Sequence, residues 1–216
     1  MVFGFWFLRF LLTIYHIPYT TYKKLPVEAI SRQGEIMRIT GGTLKGRRIK
    51  TCRDNSTRPL LSRLRKSLFD VIGERIKDLS FLDLYAGSGA VGIEALSRGA
   101  RRAVFVEKGP LAARVIEENI ASYKLFSQVK IWRKNVLAFL PILLEGEKFD
   151  FIFIAPPYYK KMQNKTLDII EEVEINKATI IVQYSPHENI NFTRRNMGIV
   201  KQKEYGDTIL AFLEGI

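Results

Sequence analysis

Short, β-rich runs alternate with helical runs between residues 81 and 154, and this alternation constrains the fold more than any other feature of the chain. Strands separated by single helices imply βαβ units, which place the strands parallel in one sheet. We therefore predict an α/β fold with a mostly parallel sheet that helices cover on both faces. The predicted strands are 81–85, 103–107, 129–132 and 149–154, and the predicted helices are 91–97, 111–123 and 136–143.

The C-terminal part of the chain adds further strands. Beyond Pro157, a polar, helix-like stretch leads to an apolar strand at 179–183. Two more strands are predicted around 199–204 and 208–212, and the turn Gly206-Asp207 between them is typical of a hairpin. We expect the sheet to end in this antiparallel hairpin.

Residues 37–56, before the alternating elements, predict a small basic β-hairpin. Apolar and polar residues alternate from Arg38, and glycines link this run to a second one that ends at Thr51. Thr57-Arg58-Pro59 then breaks the chain, and residues 57–216 are expected to form the principal domain. That domain begins with a helix up to Gly73, on which apolar side chains recur at helical spacing: Leu60, Leu64, Leu68, Val71 and Ile72.

Residues 1–36 differ from the rest because they begin with an aromatic-rich apolar run. A membrane segment is one interpretation, but Arg9 lies inside the run and His16 and Pro18 follow it, so no stretch approaches the roughly eighteen apolar residues that a span requires. A signal peptide needs flanking features that are not clear here. We favour a third interpretation, in which translation begins at Met37 and the preceding residues are a non-globular extension.

The positive charge of the chain is concentrated in one segment. Of the formal net charge of +12, residues 37–66 contribute ten basic side chains against one acid, whereas residues 67–216 contain 20 basic and 19 acidic side chains. A focused positive segment is expected where a protein contacts phosphates, although a solvated helix face is the alternative. The candidate RNA contacts are Arg38, Lys45, Arg47, Arg48, Arg58, Arg63 and Arg65.

Cysteine and histidine are scarce. Cys52 is the only cysteine, so the sequence excludes an internal disulfide and a thiolate metal cluster, and the chain fits a reducing cytoplasm. The two histidines are His16 and His187. With so few soft ligands, we expect no protein-bound metal.

A glycine-rich segment, Asp83-Leu84-Tyr85-Ala86-Gly87-Ser88-Gly89-Ala90-Val91-Gly92, joins a predicted strand to a predicted helix. Its glycines let the backbone approach a ligand, and the helix start presents unpaired amides. The glycine spacing alone also suits a dinucleotide enzyme or a turn without a ligand. Asp83 favours another cofactor, because its carboxylate would attract the amino group of a methionine moiety and repel a pyrophosphate. The expected cofactor contacts here are Asp83, Tyr85, Ala86, Gly87, Ser88 and Gly89.

Polar residues after the next two strands complete this candidate cofactor site. Glu107 lies where an acidic residue accepts hydrogen bonds from both hydroxyls of an adenosine-type ribose, with a surface pair to Lys108 as the alternative. Asn135 suits an adenine edge, although an asparagine that caps the next helix explains it nearly as well. Lys108 and Val136 are also assigned to the cofactor site.

The decisive motif is Ala155-Pro156-Pro157-Tyr158, at the end of the fourth strand. Two prolines fix the backbone and remove two donors, so neighbouring carbonyls are free to accept from an exocyclic amine. Tyr158 supplies a flat face for an extruded base, a contact worth about 1–3 kcal/mol in single-strand binders. These four residues form the candidate catalytic site.

These motifs resemble class I methyltransferases that act on exocyclic amines, whose signature is a strand-end Asp/Asn-Pro-Pro-aromatic tetrapeptide. The resemblance is closer still to the RsmD family, from Met37 to the C-terminus. It is carried by Met37-Arg38-Ile39, Gly41-Gly42, Lys45-Gly46-Arg47, Thr57-Arg58-Pro59, Arg63, Arg65, Leu68-Phe69, Asp83 to Gly92, Glu94-Ala95-Leu96-Ser97-Arg98-Gly99-Ala100 and Tyr205-Gly206-Asp207-Thr208.

The resemblance implies both an activity and a topology. The activity is methylation of the N2 amine of one guanine in bacterial 16S ribosomal RNA, with S-adenosylmethionine as cofactor and the RNA or the small ribosomal subunit as partner. The enzyme is expected to be a cytoplasmic monomer without a membrane partner. The implied topology is a Rossmann-like, seven-stranded sheet whose last strand is antiparallel.

One position departs from the family pattern. Most relatives carry Asp or Asn where this chain has Ala155, so a side-chain acceptor for the target amine is missing, at a cost of about 1–3 kcal/mol unless it is replaced. We expect the main-chain carbonyls of Ala155 and Pro156 to suffice, because the enzyme mainly positions the amine against an activated cofactor. Asn135 likewise stands where an adenine-contacting Asp is usual.

Other functions stay open on the sequence alone. A methyltransferase of the same fold could act on another RNA base or on protein glutamine, and the basic segment favours RNA. The Ala155 departure leaves open a catalytically weak or inactive RNA-binding module for ribosome assembly. A dinucleotide oxidoreductase is disfavoured, because nothing after Glu107 offers an acid or base for hydride transfer.

Overall fold

The computed structural model describes residues 37–51, 62–173 and 177–215. In chain order the elements are β1 (Met37–Arg38), β2 (Arg48–Ile49), α1 (Ser62–Ile72), β3 (Ser80–Leu84), α2 (Ala90–Ser97), β4 (Arg102–Val106), α3 (Pro110–Tyr123), β5 (Val129–Trp132), α4 (Val136–Gly146), β6 (Phe151–Ile154), α5 (Met162–Glu172), β7 (Thr179–Tyr184), β8 (Met197–Tyr205) and β9 (Thr208–Gly215). Short 3-10 helices, Gly73–Ile76 and Phe126–Gln128, follow α1 and α3.

Seven strands form one sheet in the order β5-β4-β3-β6-β7-β9-β8. The neighbours from β5 through β7 are parallel, and β9 is antiparallel to both β7 and β8. The predicted Rossmann-like sheet with an antiparallel last strand is therefore confirmed. All the elements predicted between residues 81 and 154 are present, and the largest difference is α4, which continues to Gly146 although Pro141 lies inside it.

Side chains of the parallel strands alternate between the two faces of the sheet, as the period of a β-strand requires. Phe81, Phe105 and Phe153 belong to one buried hydrophobic cluster, and Leu82 and Ile152 belong to the other. The whole of β3 is buried. Its only acidic residue, Asp83, therefore needs polar partners near the end of the strand.

The strand order creates a divergence at the carboxyl end of β3. The chain leaves β3 for β4 on one side, and it returns from β5 to β6 on the other side. In open α/β sheets this switch point is where ligands bind, outside the carboxyl ends of the strands. The loops after β3, β4, β5 and β6 all begin at these carboxyl ends.

The basic hairpin is present in a shorter form than predicted. β1 and β2 pair antiparallel through Met37 with Ile49 and Arg38 with Arg48. The apolar side chains Met37, Ile39 and Ile49 are buried in the same cluster as α1. The hairpin therefore packs its apolar side against the body of the fold and leaves basic side chains at the surface.

Several predictions lie outside the described residues. These are the extension 1–36, the single cysteine Cys52, and the break Thr57-Arg58-Pro59 with the candidate contact Arg58. Within the described ranges, no helix has the length and apolar character needed to cross a membrane.

Candidate active site

Asp83 lies next to last in β3, and its side chain faces the start of α2. It is 2% exposed, and its Oδ2 accepts a hydrogen bond of 2.9 Å from the amide of Gly92. Burial raises the pKa of Asp83 to about 8, the Gly92 hydrogen bond opposes this shift, and the negative charge of Glu107 adds to it. A cationic ligand group beside Asp83 would stabilise its ionised form.

The glycine loop after β3 is a tight turn with left-handed backbone at Tyr85, Gly87 and Gly89, where φ is +61°, +55° and +75°. The amides of Tyr85 and Ala86 both donate to the carbonyl of Val106, at 3.0 and 3.3 Å, which fixes the loop against β4. The Tyr85 hydroxyl is hydrogen-bonded to Thr166 of α5 at 2.8 Å. Tyr85 thus connects the glycine loop to the helix that follows the proline motif.

Glu107, directly after β4, faces the same loop. Its Oε2 accepts from the Gly87 amide at 2.9 Å, and its Oε1 accepts from the Gly109 amide at 2.7 Å. Each carboxylate oxygen can accept a second hydrogen bond, so the predicted ribose contact is compatible with this arrangement. The alternative pair with Lys108 is not formed, although both residues are described.

Asn135 caps α4. Its Oδ1 accepts from the amides of Leu137 and Ala138 at 3.0 and 3.4 Å, so the helix-cap explanation of this residue holds. An adenine contact would therefore fall to its Nδ2. The neighbouring Val136 side chain is 3% exposed and belongs to the hydrophobic core.

The proline motif leaves β6, which is the parallel neighbour of β3. Asp83 and Leu84 pair in register with Phe153 and Ile154, so Ala155 begins its loop beside the start of the glycine loop. Pro156 is buried, and Ala155, Pro157 and Tyr158 are partly exposed. The two predicted halves of the site thus begin on adjacent strands.

Two residues that the sequence analysis did not assign hold the ring of Tyr158. Gln183, at the end of β7, donates to the Tyr158 hydroxyl at 3.0 Å, and the Thr208 hydroxyl of β9 lies 2.9 Å from it. Thr208 ends the Tyr205-Gly206-Asp207-Thr208 motif, which was the only sequence signal for this contact. The antiparallel β9 therefore contributes directly to the geometry of the candidate base site.

Asn119 is a further residue that the sequence analysis missed. It is 1% exposed in α3, and its Nδ2 donates to the carbonyls of Lys50 and Ser88 at 3.0 and 3.1 Å. Its Oδ1 accepts from the Lys50 amide at 2.9 Å. One buried carboxamide thus ties the basic hairpin to the glycine loop.

A family model described as "Conserved hypothetical protein 95" matches residues 37–214, most of the chain. The chain belongs to this family. It is the RsmD family that the sequence motifs resemble, because relatives that match the chain carry the name ribosomal RNA small subunit methyltransferase D. The relative from Buchnera aphidicola (Acyrthosiphon pisum) is 31% identical over 173 residues, which cover 80% of this chain and 90% of the relative. The relative from Escherichia coli K12 is 29% identical over 178 residues, covering 82% and 88%.

Solved structures show the same similarity to this RsmD-family chain. A hypothetical protein from Thermus thermophilus is 32% identical with a TM-score of 0.70, over 83% of this chain and 99% of that one. A candidate methyltransferase from Escherichia coli is 26% identical with a TM-score of 0.72, over 83% and 98%.

The basic hairpin of this RsmD-family chain exposes most of the predicted RNA contacts. Lys45, Arg47 and Arg48 are exposed, as is Arg63 on α1. The Arg47 guanidinium lies 5.8 Å from the ring centroid of Tyr123. Arg38 is also exposed, although its Nη1 donates to the Gly46 carbonyl at 2.8 Å.

Arg65 is a correction to the predicted RNA contacts. Its side chain is fully buried, its Nε donates to Glu94 at 3.1 Å, and its Nη2 donates to the carbonyl of Arg38. Burial lowers the pKa of Arg65, and the adjacent Glu94 opposes this shift. A group without solvent access cannot contact RNA. The helical spacing shared by Arg65, Leu68 and Ile72 was the signal for its burial.

The family motif from Glu94 to Ala100 docks the hairpin onto α2. Glu94 accepts from the amide and hydroxyl of Thr40 at 2.8 and 2.7 Å, and also from Arg98 at 2.9 Å. The Ser97 hydroxyl donates to the Gly41 carbonyl at 2.6 Å and accepts from the Leu44 amide at 2.9 Å. These residues therefore bind the hairpin and not the cofactor.

Gly92 lies where α2 packs closely against Phe105 of β4, and this makes a testable prediction. A Cβ at Gly92 would lie 2.3 Å from Cε1 of the buried Phe105 ring. Because overpacking of a well-packed core is costly, Gly92→Ala is expected to lower the free energy of unfolding by about 1–3 kcal/mol in urea denaturation. Gly146→Ala, in α4 with nothing within 4 Å, is the matched control and should be neutral or stabilising. Equal stability of the two variants would contradict this packing argument.

Proposed function

We propose that this RsmD-family chain is an S-adenosylmethionine-dependent methyltransferase that modifies the exocyclic N2 amine of one guanine in small-subunit ribosomal RNA. One observation carries the proposal: the loop next to Asp83 and the loop of Tyr158 leave adjacent parallel strands, β3 and β6, at the carboxyl ends of these strands. A cofactor at the first loop and a base at the second would meet at the switch point of the fold.

The residues of the glycine loop fit S-adenosylmethionine. Asp83 is a buried carboxyl with a raised pKa. The positive charge of the methionine ammonium would stabilise its ionised form. Glu107 retains acceptor capacity for the ribose hydroxyls, and Asn135 stands at the start of α4 for the adenine. When bound there, S-adenosylmethionine would supply an activated methyl group for the guanine N2 amine.

The proline motif would hold the base. Pro156 and Pro157 have no N–H to compete, so the main-chain carbonyls of Ala155 and Pro156 are proposed to accept from the guanine amine. The Tyr158 ring, fixed by Gln183 and Thr208, would stack on the extruded base. This side of the site acts by positioning the amine, so an acidic side chain at Ala155 is not required.

The exposed basic side chains would supply the contacts to phosphate. Lys45, Arg47, Arg48 and Arg63 are at the surface, and the buried Arg65 is not among them. We propose that a single copy of the chain acts on the RNA or the small subunit in the cytoplasm.

The test is a map of N2-methylguanine in small-subunit ribosomal RNA from cells with and without the gene. One guanine is expected to lose its methyl group on deletion and to regain it when the wild-type gene is restored. In vitro, Tyr158→Ala should lower kcat/KM for the RNA by about 5- to 150-fold, the value of one stacked base. Tyr158→Phe keeps the ring but loses the hydrogen bonds to Gln183 and Thr208, so it should lose less activity than Tyr158→Ala.

Each other result would point to another function. An identical set of methylguanines in both strains would contradict the proposal, and methylation lost from a different base would assign a different target. Absence of S-adenosylmethionine binding by calorimetry would favour an RNA-binding module for ribosome assembly. Harmless Pro156 and Tyr158 variants would show that the base does not bind at the proline motif.

A further inference from the structure

The segment Tyr159-Lys160-Lys161, directly after the proline motif, has no role in the site described above. Tyr159 is 66% exposed, and Lys160 and Lys161 are both exposed. An exposed aromatic followed by two cations, next to a proposed base site, is the combination that single-stranded nucleic acid binders use.

A hydrogen bond fixes the start of this segment at Tyr159. The backbone is left-handed at Tyr159 and Lys161, with φ of +60° and +53°, a conformation that side chains with a Cβ rarely adopt. The Tyr159 amide donates to Glu188 at 2.7 Å, and Glu188 in turn accepts from the Ser185 amide at 3.0 Å and from Gln163 at 3.2 Å. A strained backbone that neighbours hold in place is typical of a binding segment.

The two tyrosine rings face different directions. Their centroids lie 6.2 Å apart, and their planes are inclined by 71°. One base therefore cannot stack on both rings. A base extruded onto Tyr158 loses contact with its neighbour in the strand. The exposed ring of Tyr159, whose hydroxyl lies 3.4 Å from the Ser185 hydroxyl, offers that neighbour a second platform.

The two lysines are free to meet phosphates. Neither forms an ion pair within the part of the chain that the structure describes, whereas Lys50, Lys66 and Lys130 each pair with a carboxylate. RNA phosphates could therefore bind these lysines without breaking an existing ion pair.

We propose that Tyr159, Lys160 and Lys161 form a second RNA contact, in which Tyr159 stacks on a base next to the target guanine and the lysines contact the flanking phosphates. This contact rests on the proposed function and extends it, because it predicts that the substrate is single-stranded beside the target.

The first test measures methyl transfer to small-subunit ribosomal RNA from cells that lack the gene. Tyr159→Ala is expected to raise KM for the RNA by about 5- to 150-fold and leave S-adenosylmethionine affinity unchanged, and Tyr159→Phe should restore most of the loss. Phe126→Ala is the matched control. Phe126 is also 66% exposed, but it precedes β5 and so lies at the amino ends of the parallel strands, away from the site. Equal KM values for Tyr159→Ala and Phe126→Ala would overturn the stacking contact.

The second test does not depend on catalysis. Binding of the same RNA is measured against salt concentration for the double variant Lys160→Gln/Lys161→Gln. Loss of two phosphate contacts should reduce the slope of log K against log salt by about 1.4. The control Lys201→Gln/Lys203→Gln removes the same charge from the edge strand β8. A slope equal to that of the control would overturn the inference even if the chain methylates its RNA, and a reduced slope would support it even if the methylation target were different.

Discussion

Replacement of Glu94 by glutamine is expected to lower the free energy of unfolding by about 3–5 kcal/mol, because it leaves a buried cation without its counter-charge. The side chains of Arg65 and Glu94 are fully buried, and Arg98, which pairs with the other oxygen of Glu94, is 20% exposed. Glutamine also presents donors where Thr40, Arg65 and Arg98 already donate. The loss should therefore be large although the side chain keeps its size.

Glu118→Gln is the matched control for this prediction. Glu118 also accepts from two cations, Lys50 at 3.2 Å and Arg114 at 3.3 Å, but these side chains are 53% and 39% exposed. Exposed pairs of this kind contribute about 0–1 kcal/mol. Urea denaturation at pH 7 should therefore separate the two variants by at least about 2 kcal/mol.

Hydrogen exchange provides a local readout for the same variant. The amides of Thr40 and Leu44 donate to Glu94 and Ser97, so they should lose protection in Glu94→Gln before the amides of β3 do. If the free energy of unfolding of Glu94→Gln lies within about 1 kcal/mol of the wild-type value, the Arg65–Glu94 pair does not hold the hairpin, and another contact must do so.

The second large effect concerns Asp83 and pH. The folded-state pKa of Asp83 is raised to about 8 by burial, above its ordinary value of 3.8. The folded protein therefore keeps a proton that the unfolded chain releases, and this contribution to stability is lost as the pH rises from about 4 to about 8. In the unliganded protein, the free energy of unfolding of Asp83→Asn relative to wild type should therefore rise by about 1.4 kcal/mol per pH unit between pH 5 and pH 7.

Cofactor binding should respond in the opposite sense. Because the methionine ammonium stabilises the ionised carboxylate, the affinity of wild type for S-adenosylmethionine is expected to rise as the pH approaches 8. Asp83→Asn should bind about 10- to 150-fold more weakly at pH 8, the value of a hydrogen bond to a charged group, and its affinity should lose this pH dependence. Calorimetric titration at several pH values measures both.

Asp150→Asn is the control for the affinity measurement. Asp150 accepts from the Ser80 amide and hydroxyl at 2.7 and 2.6 Å, at the opposite end of β3 from the site. This variant should leave S-adenosylmethionine affinity unchanged. A variant of Asp83 that is less stable at pH 8 and yet binds the cofactor as wild type does would show that Asp83 is a structural residue only.

The local sequence was sufficient for the fold and for the two loops of the candidate site. The alternation of runs between residues 81 and 154 predicted the parallel sheet, because strand and helix periods are properties of short segments. The glycine loop and the proline motif were found for the same reason, since each is contiguous and each follows a strand. Their placement on adjacent strands agrees with the topology.

The tertiary structure alone decided which partners the buried polar side chains contact. Arg65 belongs to a basic segment by sequence, yet it is buried against Glu94, 29 residues away in the chain. Gln183 and Thr208 reach Tyr158 across 25 and 50 residues, and Asn119 reaches Lys50 across 69. Such pairs arise from the order in which strands and helices pack. The residues next to a given residue in the chain do not specify that order. The local sequence therefore determined a residue's secondary structure but not its partner.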